Sequence, residues 1–101
     1  MTSRLLILAA AALAATAARA EGPGDALNVR ALAATCANCH GTDGKSVATD
    51  AGLVRLAGLD KAYMLEQLAA FRDGKRPATV MHQLVKGYTP AQLDAITGYF
   101  A

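Results

Sequence analysis

Histidine and cysteine are scarce in this chain of 101 residues, with two of each, and the scarcity limits its chemistry. Two histidines leave little from which to build a nucleophile–base pair, and no such constellation occurs, so independent catalysis is not expected. Charge of one sign is lacking too: ten Lys and Arg against eight Asp and Glu give +2. Arg4 and Arg19 both fall in an N-terminal leader, so the remainder balances to zero. That excludes a basic nucleic-acid binder. Beyond the leader no apolar run approaches the ~18 residues that a membrane span needs. Internal repeats, low-complexity linkers and the period-two alternation of strands are also missing. What remains has room for one domain.

Residues 1–20 read as a secretory signal peptide. Met1-Thr2-Ser3-Arg4 leads into Leu5-Leu6-Ile7-Leu8 and an alanine-rich run. Ala18-Arg19-Ala20 is a small-x-small cleavage triplet ahead of the polar Glu21-Gly22-Pro23-Gly24. One basic residue, an apolar core too short to span a bilayer and a cleavage site make the pattern. An uncleaved leader serving as an anchor is the alternative. Cleavage leaves residues 21–101 as an exported domain. A chain so small buries only about 60% of its unfolded surface and often needs a staple.

The two cysteines supply one. Cys36-Ala37-Asn38-Cys39-His40 is the attachment string for c-type haem. Two thiols three positions apart on one helical turn reach two vinyl groups on one porphyrin edge, and the next residue lies under the ring as a ligand to iron. Three other readings compete. A thioredoxin-like pair wants alternating strands and helices around it, which this sequence lacks. A zinc site would consume Cys36, Cys39, His40 and His82, and would force adjacent residues onto one tetrahedron. A disulfide across two intervening residues is strained. Haem c, covalently held through Cys36 and Cys39 with His40 on the iron, fits the string.

Three helical segments stand out. The first runs from about Ala26 to the attachment string, capped by Asp25, with Val29, Leu32, Ala33 and Cys36 along one stripe. Gly41 to Gly58 is a polar, glycine-punctuated connection expected to wrap the histidine side of the haem. The second helix spans about Lys61 to Arg72, with Asp60 as cap, Gly74 beyond its end, and Met64, Leu65, Leu68 and Phe71 facing inward. A loop follows, extended at Pro77. The last helix opens at Thr89-Pro90-Ala91-Gln92, a capping box with proline at the first turn, and carries Leu93, Ile96 and Phe100 with Tyr99 beside them. The fold class is all-α: three main helices wrapped around one haem.

Candidates for the second axial ligand are Met64, Met81 and His82. Met64 sits in a helical stripe where methionine usually packs the core. Met81 lies in the loop among Val80, Leu84 and Val85. His82 reads as a solvent-exposed loop residue, though one residue from Met81 it remains the rival. Arg72, Lys75, Arg76 and Lys86 gather around this loop against Asp73 alone. They are either ordinary solvated charges or a basic rim that docks an acidic partner.

From Leu32 to Ala101 the chain resembles the class I c-type cytochromes. The resemblance rests on the attachment string, Gly41-Thr42, Leu56-Ala57-Gly58, a methionine in the following loop and the closing Tyr99-Phe100-Ala101. Within that class, the stretch Phe71-Arg72 to Met81 and Lys86-Gly87-Tyr88-Thr89 look most like cytochrome subunits of flavocytochrome c sulfide dehydrogenases. Short cytochromes related to half of the c4 type are close. The resemblance implies Met81 as sixth ligand and a periplasmic carrier of single electrons, fed by a flavoprotein that oxidises sulfide. A free shuttle to a terminal oxidase is the alternative, and a ligand-binding haem domain with a labile Met81 a further one. Two departures accompany it. Where related chains often have proline, this one has Val54, which puts the bond that orients the His40 ring in question and leaves a carbonyl near Leu53 or Val54 as the candidate acceptor. Some relatives contain two haem domains, whereas this chain has one attachment string.

Overall fold

The computed structural model describes residues 25–46 and 53–101. The leader at residues 1–20 and the stretch 47–52 of the glycine-punctuated connection lie outside them. Helix α1 spans Ala26–His40. Its start is fixed by Asp25, whose carboxylate accepts from the Asn28 amide at 3.2 Å. It stops at Gly41, where φ of +87° breaks the helix. A 3-10 turn, Thr42–Gly44, follows.

Helix α2, Lys61–Arg72, starts in the same way, with the Asp60 carboxylate accepting from the Tyr63 amide at 2.8 Å. Helix α4, Pro90–Phe100, begins on a complete capping box. The Gln92 amide donates to the Thr89 hydroxyl at 3.2 Å, and the Thr89 amide to the Gln92 side chain at 2.9 Å. These three helices stand where the sequence puts them, and no strand occurs among the described residues.

One element differs from the expectation. The segment carrying Met81 is not a loop: Met81–Leu84 forms a short helix, α3, which runs into a 3-10 turn at Val85–Gly87. The Val80 carbonyl accepts from the Gln83 and Leu84 amides at 2.9 and 3.1 Å. No side chain caps this start, and one helical turn is too short to show a periodicity.

Helix α4 packs across both α1 and α2, while α3 and its 3-10 turn rest on α2. The buried centre is Ala33 of α1, Met64 of α2 and Ile96 and Phe100 of α4, with Leu32, Cys36, Leu56, Leu59 and Tyr88 packed around it. Leu65, Leu68 and Phe71 are half-buried. The core is therefore small, and Leu53, Val54, Val80 and Leu84 are all more than a third exposed.

Gly44 lets the chain pass close to this core. Its φ is +69°, and a Cβ there would meet the Phe100 ring at 2.7 Å and the Leu56 Cβ at 2.9 Å. Its carbonyl accepts from the Leu56 and Ala57 amides, and the Gly58 amide donates to the Phe100 carbonyl at 2.8 Å. Residues 56–58 are thereby tied to the 3-10 turn after α1 and to the end of α4.

Candidate functional site

Helix α1 places Cys36, Cys39 and His40 on its last turns. Both thiols are free; Cys36 is half-buried and Cys39 exposed. Burial pushes the Cys36 thiol up, the neighbouring Thr35 hydroxyl works against that, and Cys39 adds to the rise. The Thr35 hydroxyl donates to the Leu32 carbonyl at 2.7 Å and lies 3.9 Å from the Cys36 sulfur.

His40 is held from the other side. Its Nδ1 lies 2.7 Å from the Val54 carbonyl oxygen, which makes Nδ1 the donor and leaves Nε2 with its lone pair free. This is how a metal-bound histidine is ordinarily oriented. Of the two carbonyls the sequence allows, Val54 makes the bond, without the proline of related chains. The Ser46 hydroxyl donates to the Leu53 carbonyl at 3.4 Å.

Met81 is half-buried at the first position of α3, delivered by an element separate from α1. Met64, by contrast, is a core residue at 5% exposure. The expectation that His82 is a solvent-exposed loop residue is corrected. It is half-buried on α3, and its Nδ1 is buried with no hydrogen-bond partner, because the helical turn folds the ring against the protein. Among the described residues no three of His, Cys, Asp and Glu converge as a metal-holding group. A hollow of about 500 Å³ adjoins Cys39, Gly41–Asp43 and Leu53 but reaches neither methionine.

The residues present fit a c-type haem. Two unpaired thiols share a turn, a histidine is anchored through Nδ1 with Nε2 left available, and exposed apolar residues stand near both candidate ligands in the chain path. Val54, preceded by Leu53, reaches His40 through its carbonyl, and Val80 and Leu84 bracket the turn that begins at Met81.

Sequence reasoning missed two contacts. The Tyr88 hydroxyl lies 2.5 Å from the Thr35 hydroxyl, and the Tyr99 hydroxyl donates to the Asp43 carboxylate at 2.6 Å. The partners are too distant in sequence for any local signal. The basic group is also smaller than its sequence count. Arg76 donates to the Gln67 side chain at 2.6 Å and lies 4.6 Å over the Phe71 ring, leaving Arg72, Lys75 and Lys86 as its exposed members.

Fold and site together define a small all-α haem protein. The cytochrome c family model matches residues 26–101, and the chain belongs to the cytochrome c family. Its cofactor is covalently bound haem c. It is 39% identical to cytochrome c4 of Pseudomonas aeruginosa over 81% of this chain and 40% of that protein. It is 38% identical to the cytochrome subunit of sulfide dehydrogenase of Chlorobaculum tepidum, over 68% of this chain and 60% of that one. With the thiosulfate dehydrogenase electron acceptor of Thiomonas intermedia it shares 41% identity over 68% of its own length and 31% of the relative's. The chain thus spans between about a third and three fifths of these three relatives. No helix among the described residues is long and apolar enough to cross a membrane.

Proposed function

We propose that this chain is exported to the periplasm with residues 1–20 removed, and that its domain, residues 21–101, holds one haem c. Cys36 and Cys39 form the thioethers, and His40 and Met81 are the axial ligands. The contact between His40 Nδ1 and the Val54 carbonyl supports this reading, because it orients the ring and leaves Nε2 available as a ligand. His82 lacks such support. Its buried Nδ1 meets no carbonyl or carboxylate that would orient the ring.

The haem supplies reversible one-electron chemistry. Cys36 and Cys39 would anchor it, the Val54 carbonyl would hold the His40 ring in orientation, and His40 and Met81 would hold the iron from the protein, which suits electron transfer rather than oxygen binding. The electrons come from a flavoprotein that oxidises sulfide. What supports this is the likeness to a cytochrome subunit of sulfide dehydrogenase, alongside an electron acceptor named for another sulfur-compound dehydrogenase. Exposed Arg72, Lys75 and Lys86 suit an acidic face on that partner.

Gel filtration of a native periplasmic extract, with haem and flavin absorbance followed together, tests the proposal. Haem should elute with a larger flavoprotein at low ionic strength and separate from it as salt is raised. Haem eluting alone at low salt, at the size of a small monomer, would replace this reading with that of a free shuttle.

A further inference from the structure

We propose that the hydrogen bond between Tyr88 and Thr35 is the latch that keeps Met81 in place, which makes both of them positioning residues for the sixth ligand. The proposal rests on the reading of Met81 as that ligand. The Tyr88 hydroxyl lies 2.5 Å from Thr35 Oγ1. The single hydroxyl proton of Thr35 goes to the Leu32 carbonyl at 2.7 Å, so Tyr88 is the donor and Thr35 the acceptor. Thr35 immediately precedes Cys36, whose sulfur is 3.9 Å away. Tyr88 immediately follows the segment made of α3 and its 3-10 turn. The contact therefore joins the helix that carries the attachment cysteines to the segment that carries Met81.

Apart from packing of the Tyr88 ring on the core cluster that includes Ala33 of α1, little else makes that connection. The main neighbours of α1 are α4 and the turn at Thr42–Gly44, whereas α3 and the Val85–Gly87 turn rest on α2. Among the described residues no other side-chain hydrogen bond links residues 81–88 to α1. Helix α3 is four residues long and has no side-chain cap, far below the length at which a helix holds itself together. A segment with so few ties is the kind that opens locally before the rest of the fold does. Buried Val85 pins its middle to the core, and the Tyr88 hydroxyl pins its end.

The test uses the haem-loaded protein and the variants Tyr88→Phe, Thr35→Val, Thr35→Ser, the Tyr88→Phe/Thr35→Val double, and Met81→Ala. The readouts are the far-red absorption band of methionine bound to ferric iron and the rate at which reduced protein takes up carbon monoxide. Loss of one neutral hydrogen bond should raise the population with Met81 dissociated by roughly three- to tenfold. Tyr88→Phe and Thr35→Val should therefore each speed carbon monoxide binding by that factor. The double should do no more than either single, and Thr35→Ser should behave as the parent. Parent-like rates in both single variants, beside rapid uptake in Met81→Ala, overturn the latch and leave Met81 as the ligand. Additive effects in the double overturn it as well, since the two groups would then act separately. An unchanged far-red band in Met81→Ala removes the ligand assignment itself, and the latch with it.

Discussion

The Nδ1 nitrogen of His40 and the carbonyl oxygen of Val54 lie 2.7 Å apart, and that contact makes the identity of the side chain at position 54 unimportant to the histidine. The acceptor belongs to the backbone, so any residue that keeps the local path keeps the bond. Proline, which often stands here in the class I cytochromes this chain resembles, has a carbonyl but no amide hydrogen. Val54→Pro is therefore expected to leave the midpoint potential and the haem spectrum at parental values. Any gain in stability from a stiffer unfolded chain should be within about 1 kcal/mol. Potentiometric titration and urea unfolding check both parts. A clear shift in midpoint would mean that the substitution moves the carbonyl, and that the loop path depends on valine after all.

Met64 and Met81 should separate stability from ligation. Met64 is 5% exposed in the core with Ala33, Ile96 and Phe100, so Met64→Ala should cost about 2–5 kcal/mol. Its far-red methionine band should persist. Met81→Ala should abolish that band and lower the midpoint. His82→Ala should leave the midpoint in place. Urea denaturation together with potentiometry distinguishes the three. A persistent far-red band in Met81→Ala, with its loss in Met64→Ala, would reverse the roles assigned here.

The parts of this molecule that were legible in the sequence are those whose physics is local. Asp25, Asp60 and Thr89 announce helix starts because a capping oxygen sits beside the amides it satisfies. The attachment string is legible because two thioethers and a ligand must share one turn. The Val54 contact was legible only to within two residues, since a carbonyl carries no residue identity. Helix α3 was not legible at all: it has one turn, no capping side chain and no stripe. The misreading of His82 follows directly, because a polar residue in a supposed loop is expected to face water. Arg76 was counted among the free charges, although Phe71 lies five residues earlier across the end of α2, and its ring takes the guanidinium. The Thr35–Tyr88 and Asp43–Tyr99 pairs join ends of the chain that only the folded core brings together.

Gly44 and Gly58 offer a paired test of backbone strain against crowding. Both have positive φ, +69° and +79°. A Cβ at Gly58 meets nothing within 4 Å, whereas at Gly44 it meets the Phe100 ring, the Leu56 Cβ and the Ala57 amide nitrogen at 2.7, 2.9 and 3.0 Å. Gly58→Ala should therefore cost only the conformational term, about 1–2 kcal/mol. Gly44→Ala should cost about 1–3 kcal/mol beyond that, because two of its neighbours are core side chains and one is backbone. Equal losses in urea unfolding would show that the core beneath Gly44 yields freely, contrary to the packing described.

Tyr99 gives a prediction in the alkaline range. Its hydroxyl donates to the Asp43 carboxylate, and that hydrogen bond holds the phenol above its ordinary value near 10, with desolvation and the Asp43 charge adding to the rise and Arg30 opposing it. The folded protein thus binds this proton more tightly than the unfolded chain does. A group raised in the folded state lends its full stability below the unfolded value and loses it as pH climbs from there through the folded one. The stability difference between the parent and Tyr99→Phe should accordingly be flat from neutral pH to about 9 and shrink above 10. Because the ring is at the surface, the difference itself should be small. Asp43→Asn should flatten the alkaline slope while leaving a hydroxyl–amide contact in place. Urea unfolding at stepped pH, with tyrosinate absorbance recorded in parallel, measures both. If the parent and Tyr99→Phe lose stability in parallel above pH 10, the link between α4 and the turn after His40 does not run through this proton.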